Sequence, residues 1–451
     1  MKNCIFLILL AGPFILQSCE KYLDLKPDAA IAVPETIEDV RGLLNDVSNL
    51  NVFASSLLEN GTDDYYLDDN SLKNISETDR GMYLWKKDYP ALDLSGDWYN
   101  AYRAVMTVNV ALEALDRISV GDEEEKRIMR GQALFTRALA HYCEALVYTE
   151  IGRRGSDSKP GIPIRLTSDY AVVSQRGTVA ENVAAILKDL NEALELLPET
   201  STLKVKPTKA AAYALLSRIY LSFMEYDVAE KYAEAALKLY SRVTDLNTLD
   251  LESMNPFPIG HDEIIYAVYG VTGNLLLQNN ANVSHMLYGQ YEANDLRKKA
   301  YFYDKGNGHI GLKGNYPGVF STLFFGLTTD ELFLNAAECA ARRGDINKAA
   351  EQLNRMLTYK WRLGTYTPIT FSGKEQAIDQ ILKERRKELI FRGVRWSDIK
   401  RLNGEKGREI VLQRRDDNGN VIAELQPNDS RYYYLIPDEV IRQTGMPQNI
   451  R

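Results

Sequence analysis

The chain has 451 residues, a formal net charge of −8, 45% hydrophobic residues and four cysteines. The acidic balance argues against nucleic acid as a partner, which calls for a basic footprint, and so few cysteines leave the fold to be held by packing rather than by a disulfide framework. No stretch reaches the ~18 consecutive apolar residues of a membrane helix, yet the apolar content suffices for one large domain or two to three average ones.

Lys2, the uncharged run Ile5 to Leu16 and the closing Gln17-Ser18-Cys19 read as a signal peptide over 1–18. The run is too short for the ~20 apolar residues that span a bilayer. Leu16-Gln17-Ser18-Cys19 resembles a bacterial lipobox, in which Cys19 is lipidated and becomes the first mature residue; an ordinary secretory signal with a chance cysteine is the alternative. More than one acyl chain, at ~0.8 kcal/mol per buried methylene, gives a stable anchor. Residues 19–35 read as an extended, lipidated tether. Thr36 to Asn49 reads as a short helix with Ile37, Val40, Leu43, Leu44 and Val47 on one face. Residues 59–80 read as loop, because Asp63, Asp64, Asp68, Asp69 and Asn70 crowd together without a period.

Long helices follow, one from about Gly96 to Ile118 and one from about Glu123 to Ile151. On the first, Trp98, Tyr102, Val105 and Asn109 fall on one face and read as core. Thr178-x-x-Glu181 is a capping-box signature ahead of a helix with apolar residues from Val183 to Leu197. Pro207-Thr208 opens a helix that is apolar on nearly every side and is therefore sandwiched between neighbours. Two segments 120 residues apart are alike. Ala211 to Leu221 continues through Glu225-Tyr-Asp-Val-Ala229 to Leu237, and Glu331 to Ala341 continues through Asp345-Ile-Asn-Lys-Ala349 to Leu357. Both look like tetratricopeptide helix pairs, with small residues where helices cross and a tight turn between. Residues 241–328 separate them and read as a second subregion with short strands, such as Ile264 to Val271, since a structureless loop of that length is implausible. Ser372-x-x-Glu375 reads as the cap of a helix running to about Phe391. The Arg/Glu run at 384–401 reads as a mostly solvated face anchored by Leu389, Ile390 and Trp396. Arg414 to Ile422 reads as a hairpin around Asn418-Gly419, in preference to a calcium loop, whose full pattern is missing. Cys143 and Cys339 sit inside helical patterns and read as two buried thiols, with a single bridge as the alternative.

No catalytic motif is present. His141, His261, His285 and His309 are far apart in sequence, and there is no H-E-x-x-H, G-x-S-x-G or P-loop. Glycosidase carboxylates need only be placed by the fold, so the 62 acidic residues are uninformative; the chain reads as a non-enzyme without cofactor or catalytic metal. Its distinctive material is aromatic, with 27 Tyr against 13 Phe. Tyr combines an apolar ring with a polar tip, which suits the C–H face and hydroxyl rim of a sugar. Two regions mix such rings with polar partners. One is Asp63, Asp64, Tyr65 and Tyr66 with Tyr83, Trp85 and Lys86. The other is Tyr288, Gln290, Tyr291, Asn294, Asp295 and Arg297 with Tyr301 and Tyr303. The ligand candidates are Asp64, Tyr65, Tyr66, Tyr83, Trp85, Tyr288, Tyr291, Asn294 and Arg297; Trp85 reads equally as structure, and Arg297 reads first as an ion-pair partner.

Four blocks together resemble the SusD/RagB family of Bacteroidota surface lipoproteins. They are Trp98-Tyr99-x-x-Tyr102-Arg103 to Asn109; Arg130 to Tyr142 with Gly161-Ile-Pro-Ile164; Glu384-Arg-Arg-Lys-Glu-Leu-Ile-Phe-Arg-Gly-Val-Arg-Trp396-Ser-Asp398 to Arg401; and Leu435-Ile-Pro-Asp-Glu-Val440 with Gln448-Asn449. Cys19 and Tyr22-Leu-Asp-Leu-x-Pro27 extend the match across the mature chain. Thr444-Gly445 departs from the usual Asn-Pro, which bears on the C-terminal docking, and the loops at 59–90 and 272–325 do not match closely. The resemblance implies a mainly α, SusD-like fold of tetratricopeptide-like helix pairs plus an irregular, loop-rich subregion with short strands. It implies one domain over 36–451, with tetratricopeptide-like helices at about 96–240 and 329–360 and ligand-loop regions at about 59–95 and 241–328 that share a ligand face. It further implies an outer-membrane protein, lipid-anchored and facing the cell exterior. Its partner would be a SusC-like TonB-dependent transporter, which it caps as a lid while passing on an oligosaccharide. A peptide ligand is the nearest alternative; a surface glycan hydrolase and a protein-only tetratricopeptide adaptor are the other classes.

Overall fold

The computed structural model describes residues 33–91, 96–313, 316 and 322–451. The expected signal peptide, the lipidation at Cys19 and the tether up to residue 32 lie outside the described residues. No helix of the described residues is long and apolar enough to cross a membrane.

Ten helices have eight residues or more among the described residues: α1 (Ile37–Leu44), α2 (Asp97–Arg117), α3 (Glu123–Tyr148), α4 (Val179–Leu196), α5 (Lys209–Ser222), α6 (Tyr226–Leu239), α7 (Thr329–Arg343), α8 (Ile346–Leu357), α9 (Lys374–Glu388) and α10 (Arg395–Leu402). Local chemistry sets several starts. Thr36 and Thr178 each close a capping box, with Asp39 and Glu181 reaching back. Asp122 accepts from the Glu125 amide, and acidic residues fill the first turn of α3. Thr208 caps α5, so Pro207 stands just outside that helix rather than in its first turn. The expected cap at Ser372 is displaced: Gly373 is the N-cap, and Ser372 bonds the Gln376 side chain instead. α1 also ends sooner than its pattern suggests, and Val47 is exposed in a separate turn.

α2, α3 and α4 form an antiparallel layer, pinned by a buried polar link. The Arg137 guanidinium holds both Asp189 oxygens at 2.7 and 2.8 Å and donates to Asn109 Oδ1. Asn109 Nδ2 in turn donates to the Arg165 and Thr167 carbonyls. The two tetratricopeptide-like pairs, α5–α6 and α7–α8, are distant in sequence but stack directly, α6 against α7. Asn335 Nδ2 donates to Ser217 Oγ, which donates to the Ala229 carbonyl, and Arg218 takes Glu331 in a two-point bridge. Cys143 and Cys339 are free, buried thiols.

The strands form five antiparallel pairs among the described residues: β1 (Tyr65–Tyr66) with β4 (Asn282–Val283), β2 (Ile264–Tyr266) with β8 (Leu327–Thr328), β3 (Tyr269–Val271) with β7 (Thr322–Phe324), β5 (Phe302–Gly306) with β6 (His309–Leu312), and β9 (Leu412–Arg415) with β10 (Val421–Leu425). The last pair is the expected hairpin. Asp416 turns it by accepting from the amides of Asn418 and Asn420.

Two further expectations are corrected. Residues 59–80 are not loop: short helices Asp69–Asn74 and Glu77–Tyr83 form there. Asp68 and Ser76 are their caps, Asp68 accepting from Ser71 and Ser76 from Asp79, while Asp63 and Asp64 pair with Arg386 and Arg395. The charge run at 384–401 is not solvated either. Glu384, Arg385, Lys387, Glu388, Arg392, Arg395, Asp398 and Arg401 are all buried. They pair with acids and bases of α7, the 295–297 loop and the 63–64 segment, so burial of one charge is compensated by another. The C-terminus docks despite Thr444-Gly445: Gly445 ends helix Asp438–Thr444 at φ +67°, and Asn449 donates to the Tyr148 and Tyr434 carbonyls.

Candidate functional site

The pairing of β1 with β4 brings the two aromatic regions together, setting Tyr66 opposite Asn282 and Tyr65 opposite Val283. Strand alternation then sends adjacent tyrosines to opposite faces. Tyr65 points inward and is buried; its hydroxyl donates to the Asn60 carbonyl at 2.7 Å. Tyr66 points outward, half-buried, into a cleft of about 820 Å³. His285, Met286 and His309 form one wall, and the β9–β10 hairpin from Val411 to Gly419 forms the other. The hairpin tip is fastened to the opposite side by Asp417 and Asp69, each carboxylate taking the other's backbone amide.

The Tyr66 hydroxyl sits 2.9 Å from His285 Nε2 and 2.9 Å from His309 Nδ1. Burial, then the nearby Asp68 and Asp417, raise its pKa. Met286 and Val411 expose apolar surface at the rim, at 66% and 46%. Beneath the cleft Arg414 is buried among three rings, its guanidinium carbon 4.0 Å from the Tyr83 centroid, 4.6 Å from Trp85 and 5.0 Å from Tyr65. It donates to the carbonyls of Asn60, Tyr65 and Tyr83. This knot fixes the floor by cation–π and hydrogen bonds at once.

The acids of the cleft are engaged. Burial alone would raise the Asp63 carboxyl, but Arg395 and Arg386 override it and hold it well below the usual carboxylate range. Asp416 is occupied by its own hairpin turn. Asp64 does not line the cleft: it is buried against Arg386 at 2.8 Å, and burial outweighs that charge, leaving its pKa raised.

The predicted residues therefore divide. Tyr66 faces the cleft; Tyr65 and Tyr83 form its floor with almost no exposed surface, and Trp85 lies behind them, its Nε1 donating to the Gly61 carbonyl. Arg297 is the expected ion-pair partner, fully buried against Asp295, Glu384 and Glu388. Tyr291 is buried, with its hydroxyl on the Lys387 carbonyl; Tyr288 is half-buried under Lys298 and against Phe302; and the Asn294 carbonyl accepts from Arg362. None of these four lines the cleft. Tyr291 and Arg297 seat the 284–301 segment on α9. Sequence reasoning missed His285, His309, Met286 and the hairpin wall. Sequence distance between the histidines hid their meeting, although the chain has only four.

The comparisons agree with this architecture. Residues 21–221 match a family model described as starch-binding and associating with the outer membrane, and residues 330–449 match the SusD family model. A SusD-like protein of Formosa agariphila is 26% identical over 425 residues, covering 79% of this chain and 80% of that protein. A SusD superfamily protein of Bacteroides thetaiotaomicron shares the fold at TM-score 0.74 and 21% identity, covering 92% of this chain and 100% of its own. A SusD-like carbohydrate binding protein of Bacteroides vulgatus superposes at TM-score 0.67 and 20% identity, over 90% of this chain and 96% of that one. With the helix pairs, the buried 384–401 block and the two family models at either end, the chain belongs to the SusD/RagB family.

Proposed function

We propose that this protein is a nutrient-binding lipoprotein of the outer membrane, anchored at Cys19 and facing the cell exterior, that captures an oligosaccharide in the cleft over Tyr66. It then serves as the lid of a SusC-like TonB-dependent transporter and passes the ligand on. The observation that carries the reading is the lining: a half-buried Tyr66 ring and apolar Met286 and Val411 stand beside His285, His309 and Gln413. A sugar offers the same mixture of C–H faces and hydroxyls. The acids in the cleft are tied up by Arg395, Arg386 and the hairpin turn, which favours binding over catalysis. Calorimetric titration with a panel of soluble glycans and of peptides, in the presence of chelator, tests it. A glycan should bind, and Tyr66→Ala should weaken it at least about tenfold, the loss of one stacking and hydrogen-bonding ring. Binding of peptides alone, or glycan affinity unchanged in Tyr66→Ala with folding intact, refutes the reading. Uptake of that glycan that persists after deletion of the partner barrel refutes the hand-off.

A further inference from the structure

Two of the four histidines, His141 and His261, are buried in the frame. The other two, His285 and His309, come from separate segments and converge on one phenol oxygen at the cleft wall. Both nitrogens lie 2.9 Å from Tyr66 Oη. Zinc binds imidazole nitrogen at ~2.0–2.1 Å, so two donors on one ion stand about 3.0 Å apart at right angles and about 3.4 Å apart at the tetrahedral angle. The two Tyr66–histidine spacings approach those of a coordination edge. Imidazole and phenolate together suit zinc and copper rather than calcium or magnesium, which take oxygen donors. The acidic side chains of Asp68 and Asp417 act on the Tyr66 phenol and offset Arg414 and Arg415, which line the same cleft.

We propose that Tyr66, His285 and His309 form a binding site for a divalent transition-metal ion of the zinc or copper class. On coordination the phenol gives its proton to solvent, and the two imidazoles bind through Nε2 and Nδ1 in their neutral forms. The ion joins β1, the segment after β4 and β6, the three pieces that make one cleft wall.

The test uses the full chain, purified without a histidine tag and stripped with chelator, and Zn²⁺ or Cu²⁺ alone as the probe. Calorimetry should show one Zn²⁺ per chain, and His285→Ala and His309→Ala should each weaken it at least about tenfold. Cu²⁺ should give a phenolate charge-transfer absorption that Tyr66→Phe removes while the circular dichroism stays unchanged. Absence of saturable one-to-one binding overturns the proposal. So does a loss in only one histidine variant, or Cu²⁺ binding whose spectrum Tyr66→Phe leaves intact. Glycan binding is measured separately in chelator, so either result stands apart from the other.

Discussion

Arg297 carries a positive charge into a site with no exposed surface, where three carboxylates receive it. Arg297→Ala would leave Asp295, Glu384 and Glu388 with only Lys387 and Lys360 to share. Breaking one partner of a buried ion pair costs about 3–5 kcal/mol, so the variant's urea midpoint should fall by that equivalent; an unchanged midpoint would contradict the assignment. Its charge was legible in the sequence as a pairing candidate, but the partners Glu384 and Glu388 lie some ninety positions away and no local spacing announces them. The same group sets an acid response. Burial would raise the Asp295 carboxyl, yet Arg297 pulls it down to about 2. His141 goes the other way: burial, then the Arg137 charge, hold it neutral, with its pKa lowered to about 3. The unfolded chain thus takes up the His141 proton first, below about 6.5, and the Asp295 proton below about 3.8. For each of these two groups the unfolded state binds more protons within its window, so the stability it contributes falls with falling pH. The His141 share of the denaturation midpoint should be lost from about pH 6.5 down to about 3 and the Asp295 share from about 4 to about 2, while Glu59, Glu144 and Glu263, whose carboxyls burial raises, work in the opposite sense. The midpoint difference between the parent and His141→Asn should therefore shrink as pH falls below about 6.5, and a difference that does not change with pH would contradict the assignment.

Between α9 and α10 the chain reverses at Gly393, at φ +73°, and its amide donates to the buried Glu59 carboxyl. A Cβ at this position would stand 2.2 Å from Phe325 Cδ1. Gly393→Ala should therefore cost about 1–2 kcal/mol for the left-handed backbone and about 1–3 kcal/mol more for overpacking. Thermal denaturation gives the direct check, and a melting temperature equal to the parent's would mean that the turn relaxes freely. At this scale the sequence served well where a period was long: α2 to α9 were legible within a few residues, and so was the hairpin at Asn418-Gly419. It served poorly at 59–80, where Asp68 and Ser76 cap very short helices. Cap residues and turn residues are the same types, and a helix of six or seven residues offers too few turns for its apolar face to declare itself.

Across the whole molecule, the cleft depends on pairings that no local pattern encodes. β1 meets β4 over more than two hundred residues, and the hairpin reaches Asp69 across 348 positions of sequence. What holds β1 in place for that meeting is the 384–401 block. Arg386 takes Asp64 and the Asp63 carbonyl, and Arg395 takes both Asp63 oxygens at 2.8 and 3.0 Å. Neither arginine bonds the Tyr66 hydroxyl or lines the cleft, so they act on the site by positioning β1. A double variant, Arg386→Ala with Arg395→Ala, separates scaffold from site. The helix pairs retain their own core and the Arg218–Glu331 bridge, so far-UV circular dichroism should stay near the parent's. The 59–91 segment loses its anchor, leaving the half-buried Asp63 and the buried Asp64 unpaired, and should become the first place that a protease cuts. Glycan affinity should drop at least about tenfold as the Tyr66 wall loses its fixed position, and calorimetric unfolding should resolve a low-temperature step ahead of the main one. A double variant that keeps both the parent's affinity and its protease resistance would show that the β1–β4 pair and the Arg414 knot hold the wall by themselves.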